Sequence, residues 1–268
     1  MKQILLTGGA GGLGRAAAVY LADRGCTVFS CDIREQKEYP GIVPVELDLR
    51  NPAGIEAALK KVSELTDSLE AIVHMAGVYM MDSFAEMEED RLSAILDVNL
   101  MGVYRVNKAF LPLVIKGKGR IIITTSEMAW QKPLPFTGVY SLSKTALECY
   151  ADSLRLELML LGVPVITMRP GAFSTELLSE SSREMERLRA STRLYKNNLG
   201  RIARVMGGRF KKAKEPERLA KVYWQAITSP RPRFRYTVNA SLLLRLYGAM
   251  PRRLQALALR LLLKDSAD

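Results

Sequence analysis

The chain has 268 residues, 48% of them hydrophobic and 25% charged, which is the balance of a globular domain and excludes a disordered chain. Cys26, Cys31 and Cys149 show no C-x-x-C spacing, so no disulfide framework, zinc knuckle or other metal site is expected, and a reducing compartment fits best. The net charge of +11 is uneven: residues 1–174 hold 18 Lys+Arg against 20 Asp+Glu, and residues 175–268 hold 21 against 8. That asymmetry raises nucleic acid or an anionic membrane surface as a partner, against the plainer reading of solvated helical faces.

From the N-terminus, the apolar run Ile4 to Thr7 stops at a glycine cluster, too short for a secretory signal. Arginines interrupt the later leucine-rich runs, so no membrane span is expected and a cytoplasmic protein is the reading. Strand-like runs near 3–7, 27–31, 42–47, 70–75, 119–125 and 163–168 alternate with helical patterns. This alternation predicts an α/β fold, a doubly wound parallel sheet of Rossmann type with helices on both faces, in a single domain. Residues 175–215 are read as a helical substrate-lid segment after the sixth strand, and residues 241–268 as a leucine/arginine-rich C-terminal tail. Ligands of open α/β sheets bind beyond the carboxyl ends of the strands, where the 175–215 segment would sit.

The first turn carries the first chemistry. Thr7-Gly8-Gly9-Ala10-Gly11-Gly12-Leu13-Gly14 follows a strand and opens a helix. Gly8 is expected to make the turn, Gly12 to admit phosphates, and Gly14 to let helix and strand approach. The free N–H groups and positive dipole end of that helix suit a pyrophosphate. Asp32, at the end of the second strand, is placed to accept both adenosine ribose hydroxyls and to repel a 2′-phosphate. NAD is therefore favoured over NADP, with Arg15 and Arg34 near enough to reverse the balance.

Further on, Tyr140 and Lys144 stand at i and i+4 of a helical stretch and share a face. A phenol titrates near 10, and an ammonium beside it favours the phenolate; reaching about 7 takes about 4 kcal/mol at roughly 1.36 per unit, which the lysine and a positive nicotinamide ring would supply together in a partly desolvated site. Together these residues resemble the short-chain dehydrogenase/reductase family over about residues 3–175. TGGAGGLG is similar to its T-G-x-x-x-G-x-G, Asp32 to its NAD-selecting acid, and Asp48-Leu49 to the pair beside the adenine ring. Asn99 resembles its structural and catalytic asparagine, Ser126 its substrate-orienting serine, and Tyr140 with Lys144 its base and base-tuning lysine. Arg169-Pro170-Gly171 followed by Thr175 is similar to the segment that holds the nicotinamide carboxamide. His74-Met75-Ala76-Gly77 departs from the family's Asn-Asn-Ala-Gly: Ala76 and Gly77 keep the small residues beside the cofactor, whereas His74, the only histidine, is read as structural.

The resemblance implies an oxidoreductase that interconverts a secondary alcohol and a ketone with NAD, or with NADP. Tyr140 would act as general acid/base, Ser126 would bind the substrate oxygen, Lys144 the nicotinamide ribose, and Asn99 would help hold a water through which the proton leaves. By analogy the substrate is lined by Tyr79, Met80, Met81, Met128, Trp130, residues 133–136, Phe173, Leu177 and Leu178, which favours a hydrophobic molecule such as a steroid, retinoid or lipid. The tail from Pro251 to Lys264 places arginines and leucines on different faces; covering the substrate mouth or meeting another subunit is preferred to membrane contact, and nucleic-acid binding is not expected. Surplus apolar residues on the Tyr140 helix imply a homodimer or homotetramer. The alternatives are an NAD-dependent epimerase or dehydratase, and a non-catalytic nucleotide-binding or membrane-surface protein of the same fold.

Overall fold

The computed structural model describes residues 1–130, 133–174, 176–202 and 214–263, and of residues 176–178 only the backbone. The expected Thr175, Leu177 and Leu178 contacts and residues 203–213 of the predicted lid therefore lie outside the described residues.

Among the described residues, β1 (Gln3–Thr7), β2 (Thr27–Asp32), β3 (Ile42–Glu46), β4 (Ala71–His74), β5 (Arg120–Thr124), β6 (Val165–Pro170) and β7 (Arg235–Val238) form one sheet in the order β3-β2-β1-β4-β5-β6-β7. Every neighbouring pair is parallel. The chain starts in the middle, winds outward through β2 and β3, then crosses over β1 to β4 and winds the other way. This reversal leaves a crevice between the carboxyl ends of β1 and β4.

Strand side chains alternate between two apolar layers, as a period of two requires. Leu5, Ile72, Ile121, Ile123 and Val165 face α2 (Pro52–Ser63), α4 (Gly102–Lys116) and α5 (Gly138–Leu158). Ile4, Leu6, Val73, Ile122 and Met168 face α1 (Gly12–Ala22) and the helix Pro216–Thr228. With both faces covered, the strands have no wet side, which is why their sequences are continuously apolar. Phe173 belongs to this second layer at 3% exposure. The expectation that it lines the substrate space is corrected: it fills the core under the helix Pro216–Thr228.

Between β4 and α4 lie α3 (Glu89–Leu96) and a π-helical turn, Asp97–Met101, that turns Asn99 completely inward. Beyond β6 come α6 (Glu176–Ser191), a helical stretch at 196–202, and α7 (Pro216–Thr228). After β7 the tail folds as a helical hairpin, α8 (Leu242–Ala249) and α9 (Arg252–Leu263), with Ser241 capping α8 through Leu244 N–H. No described helix is long and apolar enough to cross a membrane.

Candidate active site

The glycine turn closes on itself for steric reasons. Gly8 has φ +78°, and both Gly8 N–H and Gly9 N–H donate to Cys31 O, which ties the turn to β2. A side chain at Gly14 would place Cβ 1.9 Å from Gly8 O, so glycine there is what permits α1 to start against the turn. Thr7 Oγ1 accepts from Met75 N–H and Ala76 N–H at 3.3 Å, fixing the loop after β4 beside the turn. A Cβ at Gly8 would lie 2.6 Å from Ala76 N. The N-cap of α1, Gly11, brings no side-chain acceptor, and the first turn has no acid. Its first-turn amides therefore take no cap from Gly11, an arrangement that suits an anion.

A cavity of about 460 Å³ runs along this crevice. Gly12, Leu13, Gly14, Asp32, Asp48 and Leu49 line one end, and Ala76, Gly77, Tyr140, Lys144 and Pro170 the other. Asp32 is buried: Oδ2 accepts from Ala10 N–H at 2.9 Å and Oδ1 from Arg34 N–H at 3.0 Å, with Arg34 Nε at 3.4 Å. Of the two arginines weighed against it, Arg34 lines the cavity, while Arg15 stacks on the Tyr39 ring. Asp48 is paired with Arg50, whose guanidinium holds the carboxyl below its ordinary range. Gly171 sits at the exit of β6 for packing: a Cβ there would meet Asn239 O at 2.0 Å.

Ser126, Tyr140 and Lys144 meet at the other end. The Tyr140 hydroxyl hydrogen-bonds the Ser126 side chain, whose Oγ also accepts from Met128 N–H at 3.1 Å. Lys144 Nζ donates to Thr124 O at 3.2 Å, one helical turn along α5, and lies 5.9 Å from the Tyr140 ring centroid. Burial pushes the Tyr140 phenol well above its ordinary range; Ser126 opposes this, and Tyr79 and Glu127 add to it. Burial alone brings the Lys144 ammonium down to about 8. The sequence reading asked Lys144 and a positive nicotinamide ring together to make the phenol acidic, and Lys144 is the part of that pair the chain itself supplies. The ammonium is bonded to Thr124 O and stands beside the ring, so without a further positive charge desolvation dominates.

Asn99 was expected to hold a water. Its amide donates to Val78 O and to Ser143 Oγ, both at 3.0 Å, and its Oδ1 accepts from Val78 N–H at 2.9 Å. Both amide hydrogens are committed, and what remains is an Oδ1 lone pair near Gly77, where a Cβ would be 3.1 Å from Oδ1 and 3.3 Å from Lys144 Nζ. Asn99 thereby ties the loop after β4 to α5. His74 is buried at the end of β4 with Nε2 2.7 Å from Asn107 Oδ1, and Asn107 Nδ2 donates to Tyr150 OH at 3.0 Å. Burial drives the imidazole down to about 4. This chain links β4, α4 and α5 and does not reach Tyr140.

Above Tyr140 the surroundings are apolar. The Tyr79 ring packs on Tyr140 at 4.8 Å between centroids. Met80 and Met128 pack against the buried Ile95, Val139 and Tyr140 cluster. Met81 is fully buried in a cluster with Met185 and Leu188 of α6, joined by Tyr79, Phe136 and Leu263. Trp130 is 43% exposed, with the Arg169 guanidinium 5.7 Å from its ring centroid.

Two ion networks brace this end, and sequence reading did not single them out. Asp82, buried, accepts from Arg91 Nε at 2.6 Å and Arg187 Nη2 at 2.8 Å, while Glu184 accepts from Arg91 Nη2 at 2.8 Å and Met81 N–H at 3.2 Å. They clamp α6 to the loop after β4. Glu148 of α5 takes Arg169 of β6 in a two-pronged pair at 2.8 and 2.7 Å, and also Thr125 Oγ1 at 2.6 Å. Arg-Pro-Gly in the sequence pointed at the β6 end, but its buried acid is remote in sequence and carried no signal.

The strand-glycine-helix turn, the acid after β2, Tyr140 and Lys144 thus line one crevice, with Ser126 hydrogen-bonded to Tyr140 at its edge. A model of the short chain dehydrogenase family matches residues 2–186. The chain belongs to the short-chain dehydrogenase family. This short-chain dehydrogenase is 34% identical over 190 residues to estradiol 17-beta-dehydrogenase 2 of Mus musculus, covering 66% of this chain and 49% of that one. It is 30% identical over 256 residues to 17-beta-hydroxysteroid dehydrogenase type 1 of Homo sapiens, covering 87% and 76%. The chain spans about half the length of several of the hydroxysteroid dehydrogenases it matches. Its fold matches a short-chain dehydrogenase from Streptomyces avermitilis at TM-score 0.75, with 20% identity and 97% and 94% of the two chains covered. It also matches a 3-ketoacyl-(acyl-carrier-protein) reductase from Brucella melitensis complexed with NADH at TM-score 0.71, with 18% identity and 88% and 95% covered.

Proposed function

We propose that this short-chain dehydrogenase interconverts a secondary alcohol and a ketone on a hydrophobic, steroid-like molecule with NAD as the redox partner. The observation that carries the reading is that Tyr140 and Lys144 line the crevice that the glycine turn opens, with Ser126 hydrogen-bonded to Tyr140. The glycine cradle fits a dinucleotide, since a Cβ at Gly8 or Gly14 would close it and Gly11 caps the first turn of α1 with no side chain. Gly8, Gly12, Leu13 and Gly14 would hold the pyrophosphate, with Thr7 keeping the turn in register. Asp32 would hold the adenosine ribose, Asp48 and Leu49 would flank the adenine, and Pro170, Gly171 and Thr175 the carboxamide. When bound, the nicotinamide supplies a two-electron acceptor and, oxidised, a positive charge.

The chain's residues do the proton work. In the oxidation direction Ser126 Oγ binds the substrate oxygen and Tyr140 Oη removes its proton; in reduction Tyr140 returns it. Lys144 binds the nicotinamide ribose and, with the positive ring, opposes the desolvation that now raises the phenol. Ala76 and Gly77 leave room beside the ring, and Asn99 fixes their loop against α5. Tyr79, Met80 and Met128 form an apolar wall around the reacting carbon. The hydroxysteroid dehydrogenases among its relatives point to the same substrate class.

The test is NADH absorbance with a panel of hydroxysteroids, retinols, sugars and short alcohols. Turnover of the apolar alcohols is expected, and Tyr140→Phe should lower it about a thousandfold while NADH affinity changes less than about threefold. Turnover preserved in that variant would remove the proposed base. Exposed Leu156, Met159, Leu160 and Leu161 at the end of α5, 57% to 80% exposed, fit a homodimer or homotetramer. A monomer in sedimentation would reject that part alone.

A further inference from the structure

The tail hairpin turns its leucines the wrong way for a helix that merely covers its own domain. On α8, Leu242, Leu243 and Leu246, and on α9, Leu254, Leu257 and Leu261, are each 51% to 73% exposed. The inward positions are Leu244 at 6% and the polar Gln255 at 5%, the latter donating to Tyr247 O across the bend at 2.6 Å. Leu254, Leu257 and Leu261 recur at i, i+3 and i+7, a continuous stripe on one side of α9. Six outward leucines on two consecutive helices exceed the singly scattered apolar residues of an ordinary surface.

Charge selects the occupant. From Arg218 to Lys264 the sequence has ten Lys+Arg and no Asp or Glu. Within the hairpin, Arg245, Arg252, Arg253 and Arg260 flank the leucines. A second copy docking the same face by a two-fold axis would set arginines against arginines, with no acid between Arg218 and Lys264 to offset them. Nucleic acid would leave the leucines unsatisfied, and the hairpin offers Tyr247 as its only aromatic ring. An anionic bilayer surface satisfies both features: acyl chains take the leucines and headgroups take the arginines, whose stems reach outward. With 12 residues, α9 is about 18 Å long at about 1.5 Å per residue and lies in the interface without crossing it.

We infer that the α8–α9 hairpin is an in-plane anchor on anionic membrane surfaces. The hairpin is fixed at both ends beside the substrate side of the molecule. Ser241 N–H donates to Glu127 Oε2 at 2.7 Å, next to Ser126, and Leu263 packs in the Met81, Met185 and Leu188 cluster while its carbonyl accepts from Asn198 Nδ2 at 3.0 Å. The anchor therefore sets the apolar end of the crevice near the lipid.

The experiment is gradient flotation of the full-length chain with vesicles of phosphatidylcholine, with and without phosphatidylserine. The protein should float with the anionic vesicles, at least tenfold more than with the neutral ones, and raised salt should reduce the difference. Replacing Leu254, Leu257 and Leu261 together by Gln should lower partitioning about a hundredfold, since each half-exposed leucine transfers roughly half its surface. Leu65→Gln, at an exposed leucine outside both the hairpin and the proposed oligomer face, should float unchanged. Unchanged thermal melting and NADH binding show that the triple variant is folded. No flotation of the wild-type chain, or flotation indifferent to the triple change, overturns the anchor. Loss of an oligomer in the triple variant with no flotation of the wild type would assign the face to a second copy instead.

Discussion

His74 offers the sharpest separation of structure from chemistry, because it is the only histidine in the chain. Burial holds the folded imidazole at about 4 against 6.5 in the unfolded chain, so between those values the unfolded state binds the extra proton. The neutral ring's contribution is complete above about pH 6.5 and is lost as pH falls toward 4. Applying about 1.36 kcal/mol per unit, the loss from pH 8 to pH 5 is about 2 kcal/mol. His74→Gln sets a non-titrating amide N–H where Nε2 meets Asn107 Oδ1. Urea unfolding at pH 5, 6, 7 and 8 should show the wild-type chain losing about 2 kcal/mol more than the variant over this range. Lys144 does not blur the window, since its shift from 10.5 to about 8 affects stability only above about pH 8. Parallel curves for the two proteins would refute the buried neutral ring. Turnover at pH 8 should fall no more than a few-fold in the variant; a loss beyond about a hundredfold would make the ring part of the chemistry.

Gly14→Ala must displace Gly8 O from a Cβ contact of 1.9 Å, so NADH affinity, read by fluorescence titration, should fall at least about tenfold. Gly200→Ala, with open space around it in a helical stretch, should bind NADH normally and gain up to about 1 kcal/mol of stability. Asp32→Ala should weaken NAD and reduce its discrimination against NADP by about tenfold or more in kcat/KM; an unchanged ratio would move selectivity to Arg34. Glu148→Gln leaves the Arg169 guanidinium buried without its carboxylate, at about 3–5 kcal/mol, and calorimetry should find Tm lower by about 10 °C.

Six of the strands were legible because parallel strands covered on both faces are written as apolar runs between helical periods. The seventh was not. Arg235–Val238 is four residues at the sheet edge with Arg235 and Thr237 exposed, and such a segment looks like loop. Tyr140 and Lys144 share a face by spacing alone, but the balance of desolvation against ammonium depends on what tertiary packing buries, which spacing does not contain. The π-helical turn at Asp97–Met101 has no composition of its own, so the inward aim of Asn99 and the commitment of its amide to Val78 and Ser143 emerged only from the fold.

The tail shows the same limit in another form, and it decides how the tail can be tested. Helical periodicity separates arginines from leucines, yet it cannot say which stripe faces the protein. Here the inward position goes to Gln255, whose amide adds a second donor to the Tyr247 carbonyl that already takes Met250 N–H at the bend, a bond a leucine could not make. The outward stripe is then free of any internal duty, but the helix that carries it is not. Leu263 belongs to the cluster that buries Met81 and Met185, and Ser241 N–H occupies the Glu127 carboxylate beside Ser126. Deleting the tail would open the apolar cluster under α6 and remove the Ser241 N–H from the buried Glu127 carboxylate, disturbing the substrate end whatever the tail binds. Substitutions confined to Leu254, Leu257 and Leu261 change only the outer stripe, so a difference they cause in flotation reports on the surface and not on a damaged site.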